Sequence, residues 1–153
     1  MLNLNADSEA NQELLGAKLA QAAVPGPGVI YLQGELGTGK TTLVRGFMRG
    51  LGYVGNVRSP TYTIVEPYQI GEQLILHLDL HRIKDPRELE FLGLEDMADA
   101  TTLWLIEWPQ RGADQTPIAD LTVELYYQIL GRNLAFTANS TTGMTIIDKM
   151  QLG

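Results

Sequence analysis

Cysteine is absent from the 153 residues. That excludes disulfides, thiolate metal sites and cysteine nucleophiles, and it fits a reducing compartment. Positive charge is scarce: 11 Lys and Arg stand against 18 Asp and Glu, a net charge of −7. A chain that grips DNA or RNA alone needs many cations at phosphates, so autonomous nucleic-acid binding is not expected. Long apolar runs are also missing. Residues 74–80 and 103–106 fall far short of the roughly 20 that a membrane helix needs. Residues 1–12 are polar and acidic, without the basic start and apolar stretch of a signal peptide. The expectation is a cytoplasmic protein without membrane contact. A chain of this length buries about 70% of its unfolded surface, enough for one core and a single domain over residues 1–153.

The segments that are present alternate in type. Asp7 and Ser8 read as a helix cap, with Leu14, Leu15, Leu19, Ala22 and Ala23 on one apolar face. Pro25-Gly26-Pro27-Gly28 ends that helix. Residues 29–32 have the length and apolar character of a buried parallel strand. A helix is expected over 41–51, closed by Gly52. Strands over 62–68 and 74–80 flank a turn at Ile70-Gly71-Glu72-Gln73. Pro86 opens a short helix to Leu92, and 103–106 reads as another buried strand. Three more strands are expected, over 121–127, 133–139 and 144–149, with turns at Gly131 and Gly143.

The strongest signal is Gly34-Glu35-Leu36-Gly37-Thr38-Gly39-Lys40-Thr41, which matches G-x-x-x-x-G-K-[ST]. Glycines let the backbone curl into a nest of N–H groups aimed at phosphate oxygens. The helix that follows presents its positive end to the same anion. Lys40 sets a compact cation against the β- and γ-phosphates, and the Thr41 hydroxyl can ligate Mg²⁺. The context agrees, with a strand before the loop and a helix after it.

A metal-organising acid is then needed at a strand end. Asp79 ends one apolar run and Glu107 ends another. Ligands of open α/β sheets lie beyond the carboxyl ends of the strands, so both acids qualify. Ser59-Pro60-Thr61-Tyr62-Thr63 lies between the phosphate helix and the Asp79 strand, where nucleotide switches place their γ-phosphate sensors. The expected fold is α/β: a P-loop-NTPase-like three-layer sheet, mixed parallel and antiparallel, with a β-rich last third.

Taken in order, these phrases resemble one family. They are the phosphate loop through Thr42, Ser59-Pro60-Thr61-Tyr62-Thr63, His77-Leu78-Asp79-Leu80-His81-Arg82, Glu90-Phe91-Leu92-Gly93 and Ile106-Glu107-Trp108-Pro109. The chain is similar over about residues 30–112 to the TsaE (YjeE) family of P-loop ATPases of bacterial tRNA threonylcarbamoyladenosine synthesis. The resemblance implies ATP and Mg²⁺ as cofactors. Lys40 and the amides of Gly37, Thr38, Gly39, Thr41 and Thr42 would hold the triphosphate. Thr41 and Glu107 would bind Mg²⁺. Asp79 would shape the metal's water shell or activate the attacking water, and Thr61 would read the γ-phosphate. Trp108 and Arg132 would sit near the nucleotide. The implied partners are TsaD and TsaB, with tRNA reached through their complex, and hydrolysis slow until they engage. His81 stands where members often carry tyrosine. Gln12 stands where they often carry a threonine near adenine, which leaves an adenine contact there open.

Other signals carry less. His77 and His81 lie across a strand end and lack the H-E-x-x-H context of a zinc pair. The acidic stretch 85–99 reads as a solvated helical face. Arg45, Arg49 and Arg58 could form a basic patch beside the phosphate helix, and Arg58 or Arg82 could serve as an arginine finger. Two alternatives to the ATPase remain at this point: a small-molecule kinase, and a nucleotide-gated binding module whose turnover is incidental.

Overall fold

The computed structural model describes residues 1–152; Gly153, the last residue of the expected domain, lies outside the described residues. The elements run β1 (Leu2–Ala6), α1 (Glu9–Ala23), β2 (Gly28–Gln33), α2 (Lys40–Gly50), β3 (Val65–Ile70) and β4 (Gln73–Asp79). They continue with α3 (Leu94–Met97), β5 (Leu103–Glu107), β6 (Leu121–Tyr127), β7 (Arg132–Ala138) and α4 (Thr141–Leu152). Tight 3₁₀ turns occupy Pro86–Leu92, Pro109–Arg111 and Ala113–Gln115.

The strands form one seven-stranded sheet in the order β1-β7-β6-β2-β5-β4-β3. Its middle is parallel: β6, β2, β5 and β4 run the same way. Antiparallel partners close both sides, β7 and β1 on one and β3 on the other. This is an α/β fold with a mixed sheet, as the sequence leads one to expect. The parallel strands are buried on both faces and are correspondingly apolar, as in residues 103–106. Because the four run together, β2, β4, β5 and β6 all end on one rim of the sheet.

One face of the sheet packs against α1, α2 and α4. Ile30, Leu32, Leu105, Val123 and Phe136 point there, and meet Leu19, Phe47, Met48 and Ile146 from the helices. The other face carries a smaller core, in which Leu76, Leu78 and Ile106 meet Leu80, Ile83 and Leu89. It covers β2, β4 and β5 with turns and the one-turn helix α3, so this third layer is thin. Helices α1 and α2 touch backbone to backbone. A Cβ on Gly16 would lie 2.2 Å from Leu43 O, and one on Gly46 2.1 Å from Glu13 O. This contact lets α1 reach the start of α2 and the loop before it.

Several expectations change. The last element is a helix and not a strand over 144–149. Gly143, Ile146, Ile147 and Met150 are its buried residues, spaced three and four apart. Gly143 is therefore no turn residue: it sits inside α4, where a Cβ would meet Asp120 O at 1.9 Å. Strand β1 was not expected. It is an edge strand whose Leu2 and Leu4 pack on the core only once β7 is present to pair with it. Ser8 does cap α1, accepting from Asn11 N at 3.1 Å. Leu14, however, is 65% exposed, and Gln12 takes the inward place instead. The strand expected over 62–68 starts at Val65, and residues 51–64 form a long irregular link, a length that in compact domains usually has a function. The stretch 85–99 is no single helical face, being a 3₁₀ turn followed by the four-residue α3.

Candidate functional site

Strand β2 delivers the chain to the rim, and residues 34–39 curl over to begin α2. Gly37 and Gly39 have φ of 82° and 95°, a region that residues with a Cβ rarely adopt. Gly39 is the N-cap of α2 and supplies no side-chain cap. The first turn of α2 thus keeps open N–H donors. The amides of Gly37, Gly39, Lys40 and Thr41 make no hydrogen bond among the described residues. Open amides at the positive end of a helix form an anion seat.

Lys40 is 5% exposed. Its ammonium donates to Gly34 O at 2.6 Å and Glu35 O at 2.9 Å, and lies 5.2 Å above the Trp108 ring. Burial pushes its pKa below the ordinary 10.5, while the carboxylates of Glu107 and Asp79 pull it back up. It is a cation held in place by carbonyls that a stronger anion can replace.

The two acids occupy matching places. Asp79 ends β4 and Glu107 ends β5, and the two are paired in register. They are 6% and 3% exposed. Each has one oxygen fixed. Asp79 Oδ1 accepts from His81 N at 3.0 Å, leaving Oδ2 with only a 3.4 Å contact to Thr61 Oγ1. Glu107 Oε2 bonds His77 Nε2 at 2.6 Å, leaving Oε1 free. His77 is fully buried, and its Nδ1 has no partner among the described residues.

A cavity of about 310 Å³ joins these groups. Of the residues singled out in the sequence, it is lined by Gly37, Gly39, Lys40, Thr41, Thr42, Thr61, Asp79, Glu107 and Trp108. Trp108, left-handed at φ 56°, stacks with His81 at 4.8 Å between centroids. Two expected residues do not line the cavity. Thr38 turns its hydroxyl back to Glu35 O at 2.8 Å. Arg132 approaches from behind, reaching Gly37 O at 3.4 Å.

The arginines considered for a patch or finger are elsewhere. Arg45 pairs with Glu13 at 3.3 Å, Arg49 donates to Tyr53 O and Gly55 O, and Arg82 stacks on Tyr62 at 5.0 Å. Among the described residues Lys40 is the one cation lining the cavity. A larger cavity, about 400 Å³, is lined by Glu90, Glu95 and Asp96 with no cation, which suits no polyphosphate. Sequence reasoning missed the loop contacts of two side chains, Tyr127 and Gln12, the second having been singled out only for its place near adenine in the family. Tyr127 donates to Leu36 O, and Gln12 donates to Thr38 O and Gly39 O. The end of a parallel strand was the available signal for Tyr127, hidden because β6 read as part of a meander.

The residues lining the cavity include two carboxylates and the hydroxyl-bearing Thr41, Thr42, Ser59 and Thr61, oxygen groups that suit a hard divalent cation. No cluster of three His, Cys, Asp or Glu occurs among the described residues, so a dedicated protein cage is not present. Magnesium commonly takes one or two carboxylates and leaves its other positions to phosphates and water.

A glycine-rich loop between a central parallel strand and a helix, with acids at two neighbouring strand ends, defines an α/β protein of the P-loop type. Comparison with known proteins narrows this. The family model described as "Threonylcarbamoyl adenosine biosynthesis protein TsaE" matches residues 6–134, and the chain belongs to the TsaE family. A tRNA threonylcarbamoyladenosine biosynthesis protein TsaE from Haemophilus influenzae is 46% identical over 119 residues, 78% of this chain and 75% of that protein. One of the same name from Bacillus subtilis is 40% identical over 101 residues, 66% of this chain and 63% of that protein. One from Synechocystis is 44% identical over 100 residues, and the match spans 62% of that relative's length. The crystal structure of Bacillus subtilis YdiB superposes with a TM-score of 0.80 at 26% identity, covering 99% of this chain and 94% of that one.

Proposed function

We propose that the chain is one P-loop ATPase domain that binds Mg-ATP at residues 34–42 and serves tRNA threonylcarbamoyladenosine synthesis. One observation carries this reading: open amides, one buried ammonium and two half-tethered carboxylates face a single cavity. The names of the relatives support the biosynthetic role. The count of one ammonium against two carboxylates suits a polyphosphate only as its metal complex.

In this reading the phosphates take the open amides of the loop and draw Lys40 Nζ off the carbonyls of Gly34 and Glu35. Magnesium, when bound, would supply charge neutralisation to the phosphates. Thr41 and the free oxygen of Glu107 would hold it. Asp79, fixed through Oδ1, turns Oδ2 to the water that attacks. Thr61, in contact with that same oxygen, reports whether the γ-phosphate is present. Trp108 covers Lys40 and excludes water from the lysine side.

Among the described residues no arginine lines the cavity, so Lys40 is the one cationic side chain there to offset the charge that grows on the leaving group. We therefore expect slow hydrolysis by the isolated protein and faster hydrolysis with TsaD and TsaB, through which tRNA is engaged. The test is phosphate release with and without the TsaB–TsaD complex and tRNA, for wild type and Lys40→Ala. Stimulation of wild type and silence of the variant support the reading. Turnover near the median enzyme rate, about 10 per second, by the isolated chain contradicts it. A nucleotide-gated module is the second reading, favoured by the sparse anchoring of Thr61. Asp79→Ala separates the two: loss of modification with nucleotide binding and docking intact means that turnover is required.

A further inference from the structure

Every carbonyl from Gly34 to Gly39 accepts a hydrogen bond, and the donors fall into two sets. Gly34 O and Glu35 O are held from within, by Lys40 Nζ at 2.6 and 2.9 Å, with Thr38 also bonding the second. The next four are reached by side chains from outside the loop, and Gly39 O also accepts from Leu43 N of α2 at 3.0 Å. Tyr127 Oη donates to Leu36 O. Arg132 reaches Gly37 O at 3.4 Å, its guanidinium 4.6 Å above the Tyr127 ring. Gln12 Nε2 donates to Thr38 O at 3.1 Å and to Gly39 O at 2.8 Å.

Gln12 is 4% exposed and comes from α1, which the Gly16 and Gly46 contacts press against α2. Both N–H groups of its amide are committed to the loop, and it does not line the cavity. Its amide nitrogen thus has a task within the loop itself. A peptide plane whose carbonyl is fixed on one side presents its N–H on the other. The outer bonds on Leu36 O, Thr38 O and Gly39 O therefore set the direction of the open amides of Gly37, Gly39 and Lys40, whereas the amide in the plane of Gly37 O, that of Thr38, donates to Glu35 O at 3.3 Å. The outer bonds stay in place when an anion displaces Lys40 from the first two carbonyls.

We propose that Gln12 is a positioning residue which, with Tyr127, holds the phosphate cradle in its binding shape before any ligand arrives. The proposal rests on the reading of this loop as a nucleotide phosphate site. Without the ties, a loop with left-handed Gly37 and Gly39 samples other shapes, and the apparent affinity falls by the fraction of time it is correctly formed.

The test uses the full chain with Gln12→Met, which keeps length and helix propensity and removes both donors. Calorimetry reads ADP affinity, and NMR order parameters read the ligand-free backbone of residues 37–41. The expected result is a Kd about tenfold higher, the weight of one or two net hydrogen bonds. Lower order parameters over those residues and a largely retained melting temperature are expected with it. Tyr127→Phe removes one hydroxyl from a half-exposed ring and keeps the test open if Gln12→Met folds poorly; a smaller shift in the same direction is expected. Wild-type ADP affinity together with unchanged order parameters in both variants overturns the proposal. A wild-type protein that does not bind ADP contradicts the nucleotide reading instead, and the order parameters still decide whether Gln12 orders the loop.

Discussion

The two walls of the cavity are built differently. On one side lies the phosphate loop, with all of its carbonyls bonded and its anchors drawn from α1, β6 and β7. On the other lies the Ser59–Thr63 segment, where Ser59, Tyr62 and Thr63 are exposed. Its inward links are the 3.4 Å contact of Thr61 with Asp79 and the buried Pro60, whose carbonyl accepts from Ile64 N at 2.7 Å. Ile64 itself is left-handed at φ 70°, and for a β-branched residue that costs on the order of 1–2 kcal/mol. Its carbonyl in turn accepts from Asp79 N at 2.9 Å. The first wall is shaped before binding. The second is strained, lightly tethered and joined directly to an acid of the site, as the proposed reading of Thr61 as a γ-phosphate sensor requires.

The largest effect that can sharpen this contrast is on the formed wall. Lys40→Ala removes the one cation that lines the cavity among the described residues and should weaken triphosphate binding by roughly a hundredfold, as loss of charge-assisted bonds implies; calorimetry checks it. Asp79→Asn should then divide the walls, cutting hydrolysis by about 10²-fold or more while ADP affinity stays within about threefold, about 0.6 kcal/mol. Equal losses of both would mean that Asp79 belongs to the binding wall. Thr61→Val should change unfolding free energy by less than about 0.5 kcal/mol, because the contact it removes is long. It should nevertheless abolish the ATP-induced hydrogen-exchange protection of residues 59–63. The smallest effect is a remote control. Arg87 bonds the Asp85 carboxylate and lowers its pKa from 3.8. That pairing adds stability above pH 3.8, lost as pH falls through the lower folded value. Arg87→Ala should therefore trim stability slightly at neutral pH, not below that range, and leave nucleotide binding unchanged.

What could be read in advance follows the same division. The loop, β2, α2 and the two strand-end acids were legible because each is local: a spacing, a short apolar run, an acid where the run stops. Helix α4 was misread because Met144-Thr145-Ile146-Ile147 is rich in β-formers. The 143, 146, 147, 150 spacing of its buried residues was nonetheless in the sequence, and tertiary packing on α1 and β7 decided for it. Strand β1 has too few residues to announce itself apart from β7. Gln12 and Tyr127 were illegible for a different reason. Their contacts with the loop depend on a helix contact and on a parallel register, which bring together residues 26 to 91 apart.

The central claim is that phosphates seat on the amides beside Lys40, with the two acids opposite. A crystal structure with magnesium and a non-hydrolysable ATP analogue tests it most directly. The account predicts β- and γ-phosphate oxygens on the amides of residues 37–42 and on Lys40 Nζ, with the metal held by Thr41 and Glu107 and with Asp79 Oδ2 facing the water beside the γ-phosphate. A triphosphate bound in another cavity, or none at saturating concentration, would contradict it.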